Sequence, residues 1–184
     1  MIDLDTARQE VERGPRNSFS ASFAALFDRQ GADALHRSGG EHHLTASCLV
    51  IDPVTEAVLL NHHRKAGLWG QFGGHLESVD TSLHDAARRE AEEESGLRPL
   101  ARVTADPIDV HVHDLSAAFG TCTRHFDVVF AAQASTDDSP NVSEESFDVA
   151  WFALDRLPAD LMPDLPDRLP GLFRSAVSAL SSHA

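Results

Sequence analysis

The chain has 184 residues, enough for one domain with a sizeable core plus an extension, and its 42% hydrophobic and 24% charged content is ordinary for a folded globular protein. Its formal net charge of −14 argues against nonspecific binding to nucleic acid or to anionic membranes, both of which favour basic surfaces. Two cysteines, Cys48 and Cys122, make no disulfide framework, and no run of about 18 apolar residues appears, so a cytoplasmic protein is expected.

Residues 1–43 read as a helical N-terminal extension, distinct from a domain over 44–184. Asp3 or Asp5 is placed to cap a first helix that ends at Gly14-Pro15. Asn17 or Ser18 is placed to cap a second, with Phe19, Phe23, Ala24 and Phe27 as an apolar stripe. Ser38-Gly39-Gly40 marks a break. The extension is expected to dock on the domain or on a second subunit, which leaves a homodimer open.

Leu44 to Asp52 alternates as a strand, Pro53 to Glu56 turns, and Ala57 to His62 returns as a second strand. His62-His63-Arg64-Lys65 follows at once. Arg64 and Lys65 are candidate phosphate ligands, one by its guanidinium fork and the other as a point charge; a solvated loop is the plainer reading. Trp69 is expected to anchor the loop in the core rather than stack on a base.

Gly73 to Leu97 is the most informative stretch. It opens with two glycines, runs into a helix, and ends in an acidic cluster before Gly96, which reads as a left-handed helix terminator. Acidic groups disfavour a helix C-terminus, and Glu90 and Glu94 are like charges four residues apart. At about 100° per residue, Glu90, Glu93 and Glu94 share a face with Leu83, Ala86, Ala87 and Leu97. Carboxylates on a part-buried face lose hydration and repel one another. A hard dication with oxygen ligands resolves both problems. Such a concentration of broken local rules points to a functional site, although a solvated acidic helix is the bland alternative.

These residues resemble the Nudix box, G-x5-E-x7-R-E-U-x-E-E-x-G-U with U aliphatic. Gly74, Arg89, Glu90, Ala91, Glu93, Glu94, Gly96 and Leu97 match. Asp80 stands where the first Glu is expected, and eight residues rather than seven separate it from Arg89. We read Asp80 or Thr81 as a cap for the helix's first turn. Many members of the family have Pro before the glycine pair, where this chain has Phe72.

Beyond the box, Pro107 to Asp114 and Arg124 to Ala132 read as a hairpin around Phe119-Gly120-Thr121. One face takes Ile108, Val110, Val112, Phe126, Val128 and Phe130. The other takes His111, His113, His125 and Asp127, and a register that sets His113 beside His125 gathers them. This polar face suits a polyphosphate or nucleobase, or a zinc ion shared by two histidines; an exposed polar face is the alternative. A polar loop over 134–143 leads to Glu144 and Glu145, then a strand from Phe147 to Leu154. The tail, Asp167 to Ser182, is an amphipathic helix.

The resemblance implies an α/β fold, an α/β/α sandwich with a mixed β-sheet. It implies a hydrolase attacking a phosphoanhydride bond in a nucleoside diphosphate linked to another moiety: a nucleotide sugar, a modified nucleoside triphosphate or a dinucleotide. By position in the motif, Glu90, Glu93 and Glu94 bind Mg²⁺ or Mn²⁺ with the Gly73 carbonyl, Arg89 holds the glutamates, and one glutamate orients or deprotonates water. Glu93 and Glu94, deepest in the motif next to Gly96, are expected to bind the metal directly, with Glu90 as ligand or base. Glu145 sits where some members supply a further metal ligand. The expected partner is a small nucleotide, with no nucleic acid and no membrane. The alternative is a Nudix-like module that senses a nucleotide without cleaving it.

Overall fold

The computed structural model describes residues 1–115 and 122–182. Helix α1 spans Leu4–Arg13 and α2 Ser20–Gln30, followed by two short 3₁₀ turns. Strands β1 (His42–Asp52), β2 (Ala57–His63), β3 (Leu68–Gly70) and β4 (Phe72–His75) precede helix α3 (Leu83–Ser95). Strands β5 (Arg102–Val103), β6 (Asp109–Asp114), β7 (Arg124–Gln133) and β8 (Ser146–Ala153) and helix α4 (Leu165–Ser181) complete the fold. The Phe119-Gly120-Thr121 turn expected between β6 and β7 lies outside the described residues.

The strands form one mixed sheet. Its main path is β3-β2-β1-β7-β5, with β4 paired to β1, β6 to β7 and β8 to β2. Strands β1 and β7 are parallel, with His43 opposite His125, and the other pairs are antiparallel. Period-2 alternation then sorts the side chains. Leu44, Ala46, Cys48 and Val50 of β1 join Phe126, Val128 and Phe130 of β7 on one face, packed against Leu83, Ala86, Ala87 and Ala91 of α3. Leu49, Ile51, Val129 and Ala131 face the other way, onto Leu169, Leu172, Phe173 and Ala176 of α4. The result is the expected α/β/α sandwich. Ile108, expected beside Val110, belongs to the α4 layer instead, because it precedes the strand proper and escapes its alternation.

The N-terminal helices share the α3-side core through Ile2, Ala7, Phe23, Leu26 and Phe27. Asp3 caps α1 by accepting the Thr6 amide at 2.8 Å. Neither Asn17 nor Ser18 is the α2 cap. Phe19 holds that position, and Asn17 shapes the turn before it by accepting the Phe19 amide at 2.9 Å and donating to the Val110 carbonyl at 2.8 Å. Among the described residues, no helix is long and apolar enough to cross a membrane.

Candidate metal and phosphate site

The Gly-rich segment folds into the short strands β3 and β4. Phe72, in the place of the family's proline, is fully buried and pairs with Cys48 of β1. Proline has no amide hydrogen to give a ladder, whereas an apolar residue here plugs the core beneath the glycines. A side chain at Gly74 would meet the Glu90 carboxylate at 2.6 Å, so the glycine lets that carboxylate lie against the backbone. Gly96 closes α3 at φ 71°, where a side chain would also meet Asn141 at 2.7 Å.

The start of α3 differs from expectation. Ser82 is the N-cap, accepting the Asp85 amide at 2.9 Å. Glu10 of α1 reaches over and accepts the amides of Leu83 at 2.6 Å and His84 at 3.2 Å. A buried carboxylate thus satisfies donors that a helix leaves orphaned and sits at the positive end of its dipole. Asp80 is free for another task. It is only 2% exposed, accepts from Arg89 Nε at 2.9 Å and Nη2 at 3.0 Å, and takes the Glu77 amide at 2.7 Å. The expectation that Asp80 or Thr81 caps the helix is therefore corrected: the extra residue before Arg89 accommodates a separate cap at Ser82.

Arg89, held in this fork, donates to Glu90 Oε1 at 3.0 Å, Glu93 Oε2 at 3.3 Å and the His75 carbonyl at 3.2 Å. Glu94 is buried and accepts from Asn61 Nδ2 at 3.0 Å and the Gly73 amide at 3.1 Å. Desolvation raises the Glu94 pKa to about 8, with repulsion from Glu90 and Glu145 adding to it. Desolvation likewise raises Glu90 to about 7, against the pull of Arg89. The Glu90 side chain is 16% exposed and that of Glu93 47%. Glu93 also pairs with Arg98 at 3.4 Å, at the rim. A buried and a part-buried carboxylate, raised toward neutral pH by desolvation and by neighbouring acidic charge, fit a hard dication. Glu145 is exposed, and its charge reaches Glu90 and Glu94.

The other candidates divide. Trp69 is the expected core anchor, edge-on to Phe152 at 4.8 Å, with His62 stacked on it at 4.9 Å. Arg64 lies over the exposed Phe147 ring at 4.8 Å and donates to the Glu144 carbonyl at 2.8 Å. Lys65 is exposed. The β6–β7 register sets His113 opposite His125 and His111 opposite Asp127, as the gathered arrangement requires. His111 is then drawn off to Asp164, Nε2 to Oδ2 at 3.0 Å, and packs edge-on to Phe19. His113 stacks on His111 at 5.9 Å and meets the His125 ring at 5.4 Å. Burial lowers the pKa of His113 and takes His125 down to about 2, so both rings are neutral.

Sequence reasoning does not reach Asn61, Thr45, Ser47 or Gln71. Asp127 accepts from Thr45 Oγ1 at 2.9 Å, Ser47 Oγ at 2.7 Å and Gln71 Nε2 at 3.1 Å, a polar floor beside the glycine strand. The only sequence signal for it is polar residues alternating with core residues in β1.

The NUDIX domain family matches residues 41–172. The chain belongs to the NUDIX family. Its fold is that of a MutT NUDIX hydrolase from Burkholderia pseudomallei, 28% identical with a TM-score of 0.54 over 76% of this chain and 98% of that one. A MutT protein from Methanosarcina mazei is 21% identical with a TM-score of 0.58, over 73% and 95% of the two chains. The NUDIX domain of Shewanella oneidensis NrtR, solved with ADP ribose, is 19% identical with a TM-score of 0.53, over 73% and 86%. The family and the hydrolases among these neighbours indicate a hydrolase.

Proposed function

We propose that the chain is a divalent-metal-dependent pyrophosphohydrolase that cleaves a phosphoanhydride bond in a nucleoside diphosphate linked to another moiety. The observation that carries this reading is the Glu90–Glu94 pair. Both carboxylates are raised toward neutrality by burial, they face the Gly73-Gly74 backbone, and they belong to a family box. Glu90 and Glu94 would hold Mg²⁺ or Mn²⁺ with the Gly73 carbonyl, while Glu93 and Glu145 add charge from the rim. When bound, the dication neutralises phosphate charge and lowers the pKa of its water.

The chain's own residues set the geometry. Asp80 fixes Arg89, and Arg89 restrains Glu90 and Glu93 so that the acidic face does not splay apart. Asn61 and the Gly73 amide fix one orientation of Glu94. A carboxylate bound directly to a dication is a weak base, so the proton of the attacking water goes to a glutamate less tightly held by metal. Lys65, exposed in the turn after β2, would supply a cation for phosphate. Arg64 can join it on leaving its contact with Phe147. His113, neutral and partly buried, offers a ring edge to a nucleobase or sugar.

The departure at Asp80 does not favour a silent binding module, because the Asp80–Arg89 fork keeps the glutamates in place. The test is a panel of nucleotide sugars, modified nucleoside triphosphates and dinucleotides incubated with Mg²⁺ or Mn²⁺, with both products identified. Metal-dependent release of a nucleotide product supports hydrolysis. Tight nucleotide binding with no product across the panel would establish a sensor instead.

A further inference from the structure

A second cluster of ligating side chains lies beside this site and is built of different chemistry. His43, His75, Cys122 and His125 each offer one ligand atom, and the four atoms all lie within 4.8 Å of one another. They come from separate places in the chain. His43 of β1 faces His125 of β7 across the parallel ladder, His75 ends β4, and Cys122 precedes β7. The three imidazoles form a near-regular triangle, with ring centroids 4.8, 5.0 and 5.2 Å apart.

As they stand, the rings are poorly satisfied. His43 is completely buried, and the buried Nε2 of His125 has no hydrogen-bond partner. Nε2 of His43 and Nε2 of His75 face each other at 2.9 Å, where one proton must serve two nitrogens. Buried polar atoms without partners are uncommon in folded proteins and ask for an explanation. The exposed Arg37 and Lys65 add positive potential here, which a Cys122 thiolate would offset in part.

We propose that His43, His75, His125 and Cys122 form a structural site for a borderline transition-metal dication of the zinc class, separate from the oxygen-ligand site of the box. Four nitrogen and sulfur donors suit a tetrahedral ion of the zinc class, whereas Mg²⁺ takes oxygen ligands. Metal–ligand bonds of roughly 2.0–2.3 Å place tetrahedral ligands roughly 3.3–3.8 Å apart, so the widest gap closes by about an ångström. The zinc site considered from sequence, two histidines of β6 sharing an ion, is replaced: His111 is committed to Asp164, and only His125 of that polar face takes part. The ion would tie β1, β4 and β7 together at one end of the sheet. It would also fix His75, whose carbonyl accepts from Arg89 and which lies two residues after Gly73.

The test uses the full chain, stripped by chelator and titrated with Co²⁺ as a spectroscopic stand-in for zinc. The site predicts one tight equivalent, with visible bands of tetrahedral cobalt and a near-ultraviolet thiolate charge-transfer band. Zinc should displace the cobalt and millimolar Mg²⁺ should not. Cys122→Ser should lose the charge-transfer band. His43→Gln and His125→Gln should lower cobalt affinity by about tenfold or more, with circular dichroism to verify folding. Glu90→Gln with Glu94→Gln should leave the spectrum unchanged. The proposal is overturned if folded wild-type chain shows no tetrahedral bands at stoichiometric cobalt. It is equally overturned if the bands survive in the histidine variants or vanish in the glutamate variant. Should a histidine variant not fold, the response of the conservative Cys122→Ser decides.

Discussion

Asp80 and Arg89 form a two-point fork, Nε to Oδ1 at 2.9 Å and Nη2 to Oδ2 at 3.0 Å, with the carboxylate buried. The fork carries the load that box spacing alone leaves unassigned, because Arg89 in turn holds Glu90 and Glu93. Removing one partner of a buried pair costs about 3–5 kcal/mol, since the other is left uncompensated. Asp80→Ala should therefore lower stability by about that amount in urea titration. Asp80→Asn keeps one acceptor and should lose about 1–3 kcal/mol, with a matching fall in metal affinity. Unchanged stability in both variants would remove the fork from the account.

Gly74→Ala tests the backbone approach to Glu90. The new methyl would meet the end of a flexible carboxylate at 2.6 Å, so the glutamate moves and the strand does not. Thermal stability should change little, while the Mg²⁺ or Mn²⁺ concentration for half-maximal stabilisation rises by roughly tenfold, equivalent to about 1.4 kcal/mol. A large loss of stability with metal affinity intact would point to the backbone instead.

Glu10→Ala tests the tie between α1 and α3. It leaves the Leu83 and His84 amides without their acceptor and should cost about 1–3 kcal/mol by denaturant titration. Glu10→Gln, which keeps an acceptor oxygen but loses the charge at the helix N-terminus, should cost less than the alanine change.

The pH dependence has a defined sign. Glu90 and Glu94 have folded pKa values of about 7 and about 8, above the ordinary carboxylate value of 4.5. Their contribution to stability is full below pH 4.5 and is lost as pH rises through 7 to 8. His75 and His125, depressed to about 4 and about 2, act oppositely: their contribution is present above pH 6.5 and is lost as pH falls through those values. Between pH 4.5 and 6.5 the two effects oppose one another, so metal-free protein should have its highest melting temperature on a plateau across that range and lose stability on either side. Glu90→Gln with Glu94→Gln should flatten the alkaline limb and leave the acid limb. An alkaline limb of unchanged slope would show that these carboxylates do not titrate there.

Much of this was legible in the sequence because it is local. Leu83, Ala86, Ala87 and Ala91 announce the buried face of α3, and Gly96 its end. The alternation of Val110, Val112, Phe126 and Val128 gives the paired strands and their common face. What sequence could not supply is long-range. Glu10 reaches α3 across 73 positions, and nothing near Glu10 foretells it. His43, His75 and His125 meet only because β1 pairs β7 in parallel and β4 antiparallel. Strands β3 and β4 are not legible in the sequence because Gly70, Gly73 and Gly74 carry no side-chain pattern, although their backbones pair normally.

The proposed function rests on the Glu90–Glu94 pair binding the dication that hydrolysis would require. The most direct measurement is turnover of an accepted nucleotide substrate against Mg²⁺ or Mn²⁺ concentration, for wild type and for Glu90→Gln with Glu94→Gln, alongside melting temperature. In wild type, metal should raise both, with stabilisation growing toward about 2.7 kcal/mol at a hundredfold excess over Kd. The double variant should be at least as stable without metal, fail to respond to it, and lose turnover by orders of magnitude. Turnover that survives chelation, or a double variant that still gains stability and activity from metal, would contradict the account.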